Sequence, residues 1–144
     1  MDNDINTFNT IIRILVSFAL GACIGAERQM RKHDAGVRTF TLICVASTLA
    51  MLISIYICQI YPNMNNGDPG RIAAQILTGV GFIGAGVILK NEDKIIGLTT
   101  AACIWITAII GMAVGLGMYV GAVIVTVLSL FILLCLDIFK KIKK

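Results

Sequence analysis

Apolar residues fall into five runs along the chain, at residues 8–26, 39–61, 69–89, 98–115 and 119–139. Each has about the length a helix needs to cross a bilayer, roughly 20 residues. Polar segments divide them. After the second run, Pro62-Asn63-Met64-Asn65-Asn66-Gly67 has strong turn chemistry. Asp68 then suits a helix N-cap, and Pro69 suits the first helical position. Residues 98–136 carry no charge and read at first as one very long helix, but Gly115-Leu116-Gly117 marks a turn that divides them into two spans. The pattern predicts an all-α fold: a polytopic membrane bundle of five helices, with residues 1–144 as a single domain.

Composition supports this reading. Apolar types make up 58% of the 144 residues and charged types 14%, with a mean hydropathy of +0.90. A soluble domain is about half apolar and a quarter charged. The lipid bilayer is therefore the main partner, and a soluble nucleic-acid binder, a secreted disulfide scaffold and a disordered tail are excluded. Cys23, Cys44, Cys58, Cys103 and Cys135 all lie in apolar runs without C-x-x-C spacing, and read as small hydrophobes. The start, Met1-Asp2-Asn3-Asp4, lacks the basic region of a cleavable signal peptide.

Charge placement sets an orientation. Arg28, Arg31, Lys32 and Arg38 lie between spans one and two, Lys90 and Lys94 after span three, and Lys140, Lys141, Lys143 and Lys144 in the tail. The alternate loops have no Lys or Arg. The positive-inside rule puts the N-terminus outside and the C-terminus in the cytoplasm, as an odd number of spans requires.

Charges within spans are candidates for function. Arg13 lies one turn into span one; it snorkels to the headgroups or pairs with Asp68 at the same face. Arg71, Gln75, Thr78 and Phe82 follow i, i+4, i+7, i+11 spacing, a polar stripe suited to an interior, a hydrated cavity or interhelical hydrogen bonds. Gly79, Gly81, Gly84 and Gly86 favour close helix packing or a midplane break. They also spell G-x-G-x-x-G, but no strand precedes it and no acidic residue follows at the required distance, so the dinucleotide reading fails. Gly21-x-x-x-Gly25 and Gly111-x-x-x-Gly115 are packing or dimer signals. Trp105 lies deep in span four, where its indole N–H needs a partner. Glu27, Arg38, Lys90 and Asp137 share one predicted cytoplasmic layer, either an ion-pair network or charges that set topology. His33 is the sole histidine.

No nucleophile–base pair, metal-ligand cluster or cofactor motif is apparent, so neither an enzyme nor a resident cofactor is expected. Five spans give little interior, which points to a homo-oligomer, with a dimer favoured.

Three stretches carry a family resemblance: Gly21-Ala22-Cys23-Ile24-Gly25-Ala26-Glu27-Arg28 with Ala35-Gly36-Val37-Arg38-Thr39; Asp68-Pro69-Gly70-Arg71-Ile72-Ala73-Ala74-Gln75 with the glycine-rich 79–86; and Gly97-Leu98-Thr99-Thr100-Ala101-Ala102-Cys103-Ile104-Trp105. Together they resemble the signature blocks of the MgtC/SapB family of bacterial inner-membrane proteins. The resemblance implies a multi-pass protein of the inner (plasma) membrane, tied to magnesium homeostasis and to stress or acid adaptation. It also implies a possible membrane partner such as the F-type ATP synthase. It places Glu27, Arg28, Arg38, Asp68, Arg71, Gln75, Thr99 and Thr100 in motif blocks. Many relatives continue into a soluble C-terminal domain, so a short form is expected here. The leading expectation is a regulator of membrane partners. The alternative is a small ion or solute transporter that uses the stripe in span three.

Overall fold

The computed structural model describes residues 6–61, 68, 70–91 and 94–142. Among these, the chain forms α1 (Thr7–Met30), α2 (Val37–Ile60), α3 (Gly70–Gly86), β1 (Leu89–Asn91), β2 (Lys94–Ile96), α4 (Leu98–Gly115) and α5 (Tyr119–Ile142). Three helices, α1, α2 and α4, are long and apolar enough to cross a membrane. The expected turn at 62–67 and the role of Pro69 lie outside the described residues, as do Lys143, Lys144 and the side chains of Asp137, Lys140 and Lys141.

The helix ends follow from local chemistry. The Asn6 side chain accepts the N–H of Phe8 and caps α1. Lys32 then takes a left-handed conformation, φ 60°, while the N–H of Lys32 bonds to Gln29 O (3.0 Å) and that of His33 to Arg28 O (3.1 Å). These two bonds are the Schellman closure, with a lysine where glycine is usual. Gly117, φ 80°, closes α4 in the same way: its N–H bonds to Val114 O and that of Met118 to Ala113 O. The turn expected at Gly115-Leu116-Gly117 is therefore present.

Span three departs from expectation. The helix stops at Gly86, three residues short of 89, and an antiparallel hairpin follows, with Leu89 opposite Ile96 and Lys90 opposite Ile95. The fold is thus helical with one small hairpin, not purely α. In β2, Ile95 and Ile96 are β-branched and favour extended backbone. Gly97 has φ 90°, and a Cβ there would collide with the carbonyl of Val87, so the return of the chain into α4 needs glycine.

The core lies between α1, α2 and α4. Ile24, Phe40, Cys44, Ile104 and Ala108 are fully buried there. Glycines set the spacing: a Cβ on Gly25 would lie 2.6 Å from Val37 Cα, one on Gly21 2.8 Å from Cys44 Cβ, and one on Gly115 2.7 Å from Met51 Cβ, while one on Gly111 would meet the carbonyl of Cys44. Both small-residue pairs therefore pack onto α2 within the chain. Ser17, Thr48 and Thr107 are also fully buried. Thr48 Oγ1 lies 2.7 Å from Gly111 O and 3.0 Å from Cys44 O, so its one hydroxyl proton is shared between a neighbouring helix and its own. Thr107 donates to Cys103 O at 2.7 Å, within α4.

α3 is peripheral and buries only Val80 and Gly84. Gly84 makes ordinary contact with Ala101 of α4, whereas a Cβ on Gly79, Gly81 or Gly86 would meet nothing within 4 Å. The packing expected of this glycine run is confined to Gly84 within the subunit.

Candidate functional site

The last turn of α1 carries Glu27 and Arg28 inward, because they continue the buried face of Gly21, Ile24 and Gly25. Both are buried, at 8% and 3% exposure. Glu27 Oε1 lies 2.6 Å from Arg31 Nε, an i, i+4 pair, and Glu27 Oε2 lies 3.9 Å from Arg28 Nη1. Arg28 Nη2 donates to Thr100 Oγ1 at 3.2 Å. Arg28 thus ties the end of α1 to the first turn of α4, and its carbonyl closes the α1 turn.

This cluster is electrostatically incomplete. One carboxylate faces two guanidiniums, which leaves a net positive charge. Glu27 Oε2 and Arg28 Nε are buried without a hydrogen bond, and Thr41 Oγ1 in α2 is in the same state. Ion pairs removed from water are costly unless their remaining donors and acceptors are satisfied. Buried polar atoms left in this state make the cluster a candidate site.

A polar cleft of about 340 Å³ lies on the adjacent turn, lined by Gln29, His33, Asp34, Gly36, Arg38 and Thr39. The Gln29 carboxamide accepts the N–H of Val37 at 3.2 Å, and so supplies the cap that Gly36 cannot give α2. Partial burial, and then the Arg28 charge, push the His33 pKa below the ordinary 6.5; Glu27 and Asp34 oppose this and Arg31 adds to it.

Arg13 sits at the other end of α1 and is 4% exposed. It neither snorkels nor pairs with Asp68. Its Nη1 donates to Gly115 O at 2.7 Å. The Schellman bonds occupy Ala113 O and Val114 O, and Leu116 N takes Met112 O, so Arg13 satisfies the carbonyl of the last turn that they leave open. The negative end of the α4 dipole is its counter-charge. Asp68 instead caps α3, accepting the Gly70 N–H at 2.8 Å.

The expected stripe lies elsewhere than an interior. Arg71, Gln75, Thr78 and Phe82 are all exposed on the outer face of α3, and Thr78 donates to Ala74 O within its own helix. Gln75 borders an apolar cleft of about 460 Å³ between α2 and α3. Trp105, in the middle of α4, is 46% exposed. Thr99 and Lys90 are exposed, Thr100 is buried, and Arg38 lines the polar cleft. Sequence reasoning missed Arg31 as a partner of Glu27; the i, i+4 spacing was the available signal. Among the described residues no group of three His, Cys, Asp or Glu side chains could hold a metal ion.

Comparison with known proteins gives consistent results. A model of the MgtC family matches residues 14–142. The chain is similar to a protein of Escherichia coli (strain K12) named "Putative magnesium transporter YhiD", with 48% identity over 129 residues, or 88% of this chain and 60% of YhiD. An uncharacterised protein of Haemophilus influenzae is 43% identical over 122 residues, 82% of this chain and 51% of that protein. Protein MgtC of Salmonella typhimurium is 40% identical over 138 residues, 96% of this chain and 55% of MgtC. The chain therefore spans between half and two thirds of the length of these relatives. No solved structure matches it. The signature blocks, the apolar helices and these matches together make this chain a membrane protein that belongs to the MgtC family.

Proposed function

We propose that the protein is a five-span inner-membrane regulator in magnesium homeostasis and stress adaptation, acting by contact with membrane partners. In this reading α3 and α5 join α1, α2 and α4 as spans, the N-terminus lies outside and the C-terminus in the cytoplasm. The observation that carries the reading is the division of labour in the fold. Among the described residues every buried charge belongs to α1, whose contacts with α2 are closed by glycine, while the polar groups of α3 and of the α1–α2 turn face outward. Such an arrangement supports a rigid scaffold that presents surfaces. The incomplete Glu27–Arg28–Thr100 cluster stands beside the α1–α2 turn, where a cytoplasmic partner can reach. The family resemblance makes the F-type ATP synthase the first partner to test.

Transport is the second reading. The cleft beside Gln75 favours it, as does the name of the YhiD relative. The two readings separate in proteoliposomes that hold the purified protein and a magnesium indicator. A regulator gives no flux above empty vesicles, yet changes ATP hydrolysis in inverted membrane vesicles that contain the ATP synthase. Magnesium flux abolished by Glu27→Gln or Gln75→Ala would replace the regulator reading with transport.

A further inference from the structure

The outer face of α3 combines an exposed aromatic ring with open glycine backbone. Gln75, Gly79, Phe82 and Gly86 recur at i, i+4, i+7 and i+11, so they form one seam along the helix. In the subunit, Phe82 is 83% exposed, and Gly79 and Gly86 have open space in front of them. With α3 in the bilayer, this seam would present lipid tails with a carboxamide they cannot hydrogen-bond and with backbone they cannot pack closely. Beside the seam lies the cleft of about 460 Å³, bounded by Leu42, Ala46 and Ser47 of α2 and by Gln75, Gly79 and Ile83 of α3. A protruding ring and a recess thus adjoin on one surface. A cavity of roughly 150 Å³ already accommodates a benzene ring, so the cleft takes a phenyl side chain with room to spare.

We infer that two copies of this chain meet across a twofold axis along α3, with Phe82 of each seated against the other's Gly79 and α2–α3 cleft. Both copies insert in the same sense, so the axis runs along the membrane normal and the two α3 helices are parallel. A twofold interface must be self-complementary, and three features meet that demand. The Gln75 carboxamide is both donor and acceptor, so two of them satisfy each other. The ring of one copy finds the recess of the other. The glycines at 79 and 86 remove the side chains that would hold the backbones apart. A lipid acyl chain offers the amide no hydrogen bond. The inference rests on the proposal that α3 spans the membrane, and not on the choice between regulation and transport.

The test uses the full chain in native membranes, with Cys23, Cys58 and Cys135 replaced by alanine and the buried Cys44 and Cys103 retained. Single cysteines are placed at Gln75, Gly79 and Phe82, and at Val127 on the exposed face of α5 as a control. Oxidation with copper phenanthroline is expected to crosslink the seam positions at least tenfold more than Val127. Adding Gly86→Leu to the Gln75→Cys chain is expected to cut its crosslinking at least tenfold with an unchanged helical spectrum, because that side chain meets nothing in the subunit. Seam cysteines that crosslink no better than Val127, or a Gly86→Leu chain that crosslinks like its parent, would overturn the inference. Labelling with a membrane-impermeant maleimide in opened vesicles separates the two ways to fail. Seam cysteines that label freely refute the third span and the dimer with it; seam cysteines that are shielded yet uncrosslinked refute the dimer alone.

Discussion

Replacing Gly25 by alanine tests the packing that holds α1 against α2. The new Cβ would lie 2.6 Å from Val37 Cα, 3.0 Å from Val37 N and 3.1 Å from Gly36 O, all backbone atoms that cannot rotate away. Ordinary contact begins at 3.4 Å, so the α1–α2 junction must open by about 0.8 Å. Overpacking of this kind costs about 1–3 kcal/mol. Alanine also removes the helical penalty of glycine, a gain of about 0.5–1 kcal/mol. Gly81→Ala supplies the same gain with nothing in front of its Cβ. The propensity contribution cancels between the two variants, so their difference isolates packing: Gly25→Ala should be less stable than Gly81→Ala by about 1–3 kcal/mol. Unfolding by SDS titration in mixed micelles, followed by helical circular dichroism, measures both. Equal stability in the two variants would refute the close-packed α1–α2 interface.

Three further outcomes follow from the same geometry. Lys32→Gly should raise stability in that titration by about 1 kcal/mol, because relief of a side chain at left-handed φ, about 1–2 kcal/mol, exceeds the added unfolded-state entropy of glycine, about 0.4–1 kcal/mol; an unchanged midpoint would argue against the Schellman turn. Arg13→Ala should cost about 1–3 kcal/mol by leaving the buried Gly115 carbonyl unsatisfied, while Arg13→Lys, which keeps a donor and the charge, should lose less; hydrogen exchange should localise the loss to the end of α4. His33 holds its proton less tightly when folded, so the unfolded chain binds more protons below pH 6.5, and stability should fall as pH drops through 6.5 toward the folded pKa. His33→Gln should flatten that part of the pH profile, and an unaltered slope would refute the reading.

The helices were legible because a bilayer demands long apolar runs, and α1, α2, α4 and α5 lie within a few residues of the runs read from the chain. The break after span three was legible in the polar run at 90–94, but the hairpin was not: its strands are three residues each, too short for a periodic signal, and the left-handed requirement at Gly97 shows only in the backbone. The sites were half legible. Glu27, Arg28 and Thr100 stood out as motif residues, but hydropathy says nothing of which way a side chain faces. The stripe from Arg71 to Phe82 has the spacing of an interior face and yet lies outside, because α4 packs onto α2 by way of Gly111 and leaves α3 at the edge. Arg13 was legible as costly, but its partner is a backbone carbonyl, which has no signature in sequence.

The peripheral place of α3 bears on how the protein is made. Synthesis delivers α1 and α2 first, and their glycine-lined contact can form at once from neighbouring segments. α3 emerges next, but the surface of α2 that carries Ser47, Thr48 and Met51 is filled only when α4 arrives. The hairpin and Gly97 turn the chain back so that α4 reaches this place past α3. During that interval α2 exposes a groove shaped for glycine, which any passing helix with small residues could occupy. Assembly of this fold is thus a race between its own fourth helix and its membrane neighbours, and the short return at 87–97 shortens the time in which a neighbour could win it.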